Sequence, residues 1–273
     1  MAGNWKMNLG PKATREFGVA IQALLKTEPK TASTLLASQS NPMTNATTNA
    51  ETKSVSKLMS VLFVSDVSLT DALKAFAGTG IEVGAQNVHW EDQGAFTGEI
   101  SPPMIKELGI EWTLVGHSER RQYFGETDET VKKRAQSHLK HGLKVVLCIG
   151  ETKAEREAAK TETVIERQLK NGLPDLPNER LFIAYEPVWA IGTGLTATPE
   201  QAEEAHAFVR KCLTERYGKE FAAKMLILYG GSVTPENVSG LLSKPNVDGG
   251  LVGGASVKPA SYLSLLQAGT NAL

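Results

Sequence analysis

The sequence predicts an α/β fold, a single (β/α)8 barrel, and three observations carry that expectation. Short apolar runs alternate with longer helical patterns along the chain, and eight such strand-then-helix units can be picked out. A chain of 273 residues has room for one large barrel or two small domains. The later runs, such as Lys144-Val145-Val146-Leu147-Cys148-Ile149 and Met225-Leu226-Ile227-Leu228-Tyr229, are almost continuously apolar. Strands that read this way are buried on both faces, as in a parallel sheet covered by helices. Such alternation either closes into a barrel or opens into a doubly wound sheet. The open sheet is the second reading. It usually shows a Gly-rich dinucleotide turn after its first strand, and Asn8-Leu9-Gly10-Pro11 stands here instead.

In order, strands are expected at 2–7, 60–65, 81–86, 111–116, 144–149, 181–186, 225–230 and 247–252. Helices are expected near 12–26, 70–77, 102–108, 128–141, 153–170, 199–217, 235–242 and 259–267. Ser101-Pro102, Thr198-Pro199 and Thr234-Pro235 are start signals, with proline at a position that needs no hydrogen-bonded amide. Asn171-Gly172 and Tyr217-Gly218 are stop signals.

Residues 27–59 fit this scheme least. Thr31-Ala32-Ser33-Thr34, Ser38-Gln39-Ser40-Asn41-Pro42 and Thr44-Asn45-Ala46-Thr47-Thr48-Asn49 are small and polar. The stretch is far longer than the roughly 4–6 residues common for such a connection. It reads as a flexible insertion between the first helix and the second strand, within one domain spanning 1–273. An alternative puts the second strand at Thr34-Leu35-Leu36-Ala37.

The composition excludes several classes of function. With 29 Lys and Arg against 30 Asp and Glu, the formal net charge is −1, so no basic surface argues for nucleic acid. No run of about 18 apolar residues argues for a membrane span. The two cysteines, Cys148 and Cys212, lie far apart and fit a reducing compartment better than a disulfide framework. His89, His138, His141 and His206 lack metal-ligand spacing, so no metal is expected.

Chemistry concentrates in Ala184-Tyr185-Glu186-Pro187-Val188-Trp189-Ala190-Ile191-Gly192-Thr193-Gly194. A carboxylate, Glu186, stands where a buried strand stops. Pro187 ends regular pairing, and an apolar loop with two glycines follows. A carboxylate beside a loop able to close over it suits a proton transfer that must exclude water. In a barrel, the other strand ends converge on the same place. They supply Asn4-Trp5-Lys6, Gly116-His117-Ser118-Glu119, Tyr229-Gly230-Gly231-Ser232 and Val252-Gly253-Gly254. The glycine turns after the last two strands take the usual phosphate position of such barrels. A carboxylate, an imidazole and an ammonium around a small phosphorylated substrate suit proton abstraction beside a carbonyl. Each residue also has an ordinary reading: Lys6 as a surface lysine, His117 as a cap, the glycines as tight turns.

These stretches, with Gly84-Ala85-Gln86-Asn87 and Gly94-Ala95-Phe96-Thr97-Gly98-Glu99, resemble the triosephosphate isomerase family over nearly the whole chain. The resemblance implies a TIM barrel that interconverts dihydroxyacetone phosphate and D-glyceraldehyde 3-phosphate through an enediolate, in glycolysis and gluconeogenesis, without a cofactor. It implies Glu186 as base, His117 as neutral imidazole and Lys6 as the balancing charge. It further implies Asn4, Lys6, Gly192, Ser232, Gly253 and Gly254 in substrate binding, and Glu119 beside Lys6. A homodimer is implied too, in which the loop 86–100 brings Thr97 close to the neighbour's site and covers Trp90 and Phe96. The cytoplasm is the expected compartment, with an organelle as the alternative if a leader was removed before Met1. A weak barrel kept as a phosphate-binding protein, and an isomerase of a larger phosphosugar, are the other readings.

The chain departs from the family in three places. Only Met1 and Ala2 precede Gly3-Asn4-Trp5-Lys6, so the first strand is short. Phe63-Val64-Ser65-Asp66-Val67 stands where the family often has a cysteine or alanine followed by two prolines. The 27–59 stretch is the third.

Overall fold

The structure, a computed structural model, describes residues 1–39, 58–191 and 196–272. Eight parallel strands close into a barrel in sequence order. They are β1 Ala2–Asn4, β2 Ser60–Val64, β3 Ile81–Ala85, β4 Trp112–Val115, β5 Lys144–Ile149, β6 Leu181–Tyr185, β7 Ile227–Tyr229 and β8 Gly249–Val252. The helices are α1 Pro11–Lys26, α2 Pro29–Gln39, α3 Leu69–Ala75, α4 Pro102–Glu107, α5 Ser118–Tyr123 and α6 Asp128–Lys140. They continue with α7 Lys153–Glu157, α8 Thr161–Gly172, α9 Pro199–Tyr217, α10 Lys219–Lys224, α11 Val238–Leu242 and α12 Pro259–Ala272. Among the described residues no helix is long and apolar enough to cross a membrane.

Alternation along each strand divides the core in two. One set of side chains fills the barrel: Val61 and Phe63 from β2, Trp112 and Leu114 from β4, Val146 and Cys148 from β5, Phe182 and Ala184 from β6. Their neighbours, such as Leu62, Val64, Val145, Leu147 and Ile183, face the helices. With a layer on each side, both strand faces are apolar, which is why these strands read as unbroken runs. Short β1 still closes the ring. Ala2, Gly3 and Asn4 pair with Val61, Leu62 and Phe63 on one side, and Ala2 and Gly3 with Leu251 and Val252 on the other.

The helix signals hold for α9. Thr198 accepts from the Gln201 amide, the Gln201 side chain returns the bond to Thr198, and Pro199 follows the cap. Gly218, at φ 86°, ends the helix in a backbone shape that a side chain would strain. Elsewhere the structure corrects the sequence reading. The helix expected at 153–170 is two, α7 and α8, broken where Ala159 takes φ 55°. The start expected at Pro235 moves to Val238, because the Asn237 side chain accepts from the Thr234 amide at 2.8 Å and holds a turn before the helix.

The first part of the polar 27–59 stretch is helical rather than irregular, as α2. Thr31 and Leu35, four apart, are buried, and α2 packs on α1 and α12. Ser33 and Thr34 donate back to the Lys30 carbonyl at 2.9 and 2.8 Å, so their hydroxyls sit inside the helix without competing for its ladder. The alternative second strand at 34–37 therefore falls. Residues 40–57 of the expected insertion lie outside the described residues. The Ser65-Asp66-Val67 departure enters a single helical turn, Asp66–Ser68, tied to the first loop by Ser68 Oγ donating to the Leu9 carbonyl at 3.0 Å.

Candidate active site

Every strand here points its C-terminal end to one side of the barrel, so residues far apart in sequence meet there. Asn4, Lys6, His117, Glu186, Ser232, Gly253 and Gly254 line one cavity of about 350 Å³. Asn4 ends β1 and is 4% exposed. Its Oδ1 accepts from the Lys6 amide at 3.0 Å and from Gln86 Nε2 at 3.3 Å. Gln86 also donates to the Lys6 carbonyl at 2.9 Å and the Phe63 carbonyl at 3.1 Å. These bonds hold Lys6 at φ 52°, a left-handed conformation that costs a non-glycine residue about 1 kcal/mol or more. Lys6 lines the cavity, and its Nζ meets Glu119 Oε1 at 2.6 Å.

His117 follows β4 and caps α5. Its Nδ1 accepts from the Glu119 amide at 3.3 Å, which leaves the ring proton on Nε2. That Nε2 lies 3.0 Å from Glu186 Oε1. The other Glu186 oxygen accepts from the Ser118 amide at 2.9 Å. Both side chains are buried, His117 5% and Glu186 2% exposed. Burial pushes the Glu186 pKa up, but His117, the Ser118 amide and Lys6 outweigh it and hold the carboxyl below the ordinary 4.5. Burial pulls His117 down, and the adjacent Glu186 carboxylate outweighs it, so the net direction is upward from 6.5. A neutral imidazole, as the family resemblance implies, calls for a lowered pKa instead. The amide bond to Nδ1 does oppose protonation, but direct contact with a buried anion is the larger effect.

The Glu186 backbone is clamped as well. Its amide donates to the Ile149 carbonyl at 2.7 Å. A Cβ on Gly150, at φ 153°, would lie 1.8 Å from the Glu186 carbonyl oxygen, and one on Gly230 would lie 2.8 Å from Glu186 Cγ. Beside this clamp, the fully buried Glu151 accepts from Tyr185 Oη at 3.1 and 3.0 Å and from Trp189 Nε1 at 2.8 Å. Its main-chain carbonyl takes the Val188 amide at 3.1 Å, which fixes the chain just beyond Pro187.

Reasoning from sequence missed Gly150 and Glu151, and named Gln86 and Ser118 only within motifs. Ile149-Gly150-Glu151, at the end of an apolar strand, was the available signal. Gly192 lies outside the described residues. Thr97 sits on the exposed loop between β3 and α4 and is not among the residues that line the cavity. Trp90 departs from expectation, being half-buried by its own chain. His89 stacks on it at 4.1 Å, and the Arg134 guanidinium lies over its ring at 5.2 Å. Phe96 stays 43% exposed.

Comparison with known proteins leads to one family. The sequence model of triosephosphate isomerase matches residues 30–269. The chain is 45% identical to the triosephosphate isomerase of Lactobacillus delbrueckii subsp. bulgaricus over 269 residues, 97% of this chain and 96% of that one. It is 46% identical to that of Acetivibrio thermocellus over 260 residues, 94% and 92% of the two chains. A 196-residue stretch, 71% of this chain and 78% of the relative, is 55% identical to that of Citrifermentans bemidjiense. By its barrel and by these matches, the chain belongs to the triosephosphate isomerase family.

Proposed function

We propose that this protein is an aldose–ketose isomerase, an intramolecular oxidoreductase that interconverts dihydroxyacetone phosphate and D-glyceraldehyde 3-phosphate. The observation that carries the reading is the buried pair of Glu186 Oε1 and His117 Nε2, 3.0 Å apart, on a cavity whose far wall is Ser232, Gly253 and Gly254. Glu186 removes a proton from the carbon beside the carbonyl and returns it to the neighbouring carbon. The proton passes by way of Glu186 and no electrons leave the substrate, so no cofactor is required. His117, with its ring proton on Nε2, donates toward the carbonyl oxygen and shuttles a proton between the two oxygens. Lys6 offsets the charge of the enediolate, and Glu119 holds Lys6 in place. The glycine turns at Gly253 and Gly254, with Ser232, hold the phosphate by main-chain and hydroxyl donors, and Gly192 adds an amide. Asn4 orients Lys6.

The Glu186 carboxylate is held by His117 and the Ser118 amide. The working state requires it to leave those partners and turn to the substrate carbon.

The enzyme is taken to be a homodimer in the cytoplasm, with Thr97 contributed to the partner's site. The free thiols Cys148 and Cys212 and the bacterial relatives support that compartment. A coupled assay of glyceraldehyde 3-phosphate isomerisation by the purified protein tests the function. A folded protein without turnover would move the reading to a phosphate-binding barrel.

A further inference from the structure

The inner face of α8 carries one polar side chain among apolar ones. Its buried residues are Val164, Ile165, Gln168, Leu169 and Gly172. Gln168 is 4% exposed. A buried amide costs stability unless both its ends are bonded, and both ends of this one go to a single residue. Gln168 Oε1 accepts from the Gly150 amide at 2.7 Å, and Nε2 donates to the Gly150 carbonyl at 3.2 Å. Gly150 is the first residue beyond β5, past the last pairing of Ile149 with Tyr185.

Gly150 is also the residue against which the Glu186 carbonyl rests, with no space for a methyl group between them. We propose that Gln168 is a positioning residue for Glu186, acting through the Gly150 main chain. The proposal rests on Glu186 being the base. Glycine has the widest backbone freedom of any residue. The two-point amide grip removes that freedom where it would let the Glu186 peptide drift. The Gly230 contact closes the other side. Misplacement of a catalytic group by about 1 Å can cost about 100-fold in rate. A core position that needed only volume would be filled by leucine or methionine without this grip.

Among the described residues the side-chain bonds of Gln168 go to Gly150, whereas Ser232, Gly253 and Gly254 follow β7 and β8 on other strands. Its loss should therefore lower kcat and leave binding alone. The test uses full-length Gln168→Met, which keeps length and volume, and Gln168→Glu, which keeps only the acceptor for the Gly150 amide. The expected result is a kcat at least tenfold lower for Gln168→Met. KM and the inhibition constant of inorganic phosphate should stay within twofold, with Gln168→Glu in between. In a Glu186→Ala background, Gln168→Met should cost nothing further. Parental kcat in Gln168→Met, a loss carried in KM, or an equal loss in the Glu186→Ala background would each overturn the proposal. If Gln168→Met does not fold, Gln168→Glu decides alone: a kcat threefold or more below the parent supports the grip, and a parental kcat overturns it. Full activity of Glu186→Ala itself would instead remove the base assignment, which is a separate outcome.

Discussion

Glu186 Oε1 and His117 Nε2 stand 3.0 Å apart although their strands, β6 and β4, are not neighbours in the barrel. Strand β5 lies between them, and Glu186 is held against its end at Ile149 and Gly150. The contact puts an anion and an imidazole in one buried place. Glu186→Gln removes the anion while keeping shape. A positioned base contributes about 10²–10⁴-fold, so kcat should fall by about that factor with KM little changed. Steady-state kinetics in the coupled assay checks it, and a fall below tenfold would show that Glu186 is not the base.

The same substitution reads out the charge coupling. In the parent, the Glu186 carboxylate is the chief group raising His117 above 6.5 against the pull of burial. Removing that anion leaves burial and Lys6, which lower it, opposed by Glu119. The His117 pKa in Glu186→Gln should therefore lie below the parent's. Titration of the ring followed by NMR measures it. An equal or higher value in the variant would mean that the contact does not govern the histidine.

Two other histidines bear on acid stability. His138 is buried between Thr113, at 3.0 Å, and the Val88 and His89 carbonyls, at 3.1 and 3.2 Å, and burial pulls its pKa down to about 4. Burial does the same to His206, also to about 4. Both fold as neutral rings and become protonated first in the unfolded chain, whose histidines titrate near 6.5. Their contribution is complete above 6.5 and is lost as pH falls toward 4. At about 1.4 kcal/mol per tenfold change in proton affinity, the fall from 6.5 to about 4 sets an upper limit of about 3 to 4 kcal/mol per histidine. Urea midpoints measured from pH 7 to pH 4 should fall steeply across this window. The fall should be shallower in His206→Asn, and a flat profile would contradict the neutral buried state.

How much of this could be read beforehand differs by element. The strands were legible because burial on both faces leaves continuous apolar runs such as Lys144–Ile149. Helix α9 was legible because Thr198, Pro199 and Gln201 write its start in side chains. Helix α2 was not, because Ser33 and Thr34 look like loop residues until their hydroxyls turn back onto the Lys30 carbonyl. In the candidate site, Lys6, His117 and Glu186 stood out as ionisable groups at strand ends. Ser118 and Gly150 work through the main chain, and any residue type has a main chain. Glu151 and Gln168 take their meaning from partners that only the folded chain brings near.

The remaining prediction concerns association. Four consecutive strand-end segments carry exposed apolar side chains: Met7 after β1, 96% exposed, Val67 after β2, 72%, Phe96 after β3, 43%, and Tyr123 and Phe124 after β4, 68% and 65%. These strands adjoin one another in the barrel, so the side chains share one flank beside the cavity mouth. Apolar side chains grouped in this way mark an interaction surface. A second copy suits it, since a dimer would cover Phe96 and carry Thr97 toward the partner's cavity. Phe96→Arg places a charge within that group of apolar side chains. Loss of an interface anchor costs about 2 kcal/mol or more, about 30-fold in Kd. Light scattering at micromolar concentration should find the parent dimeric and Phe96→Arg shifted to monomer, with kcat falling in step. A parent that is monomeric and fully active would end the interface assignment. A Phe96→Arg monomer with parental kcat would keep the interface and remove Thr97 from the catalytic site.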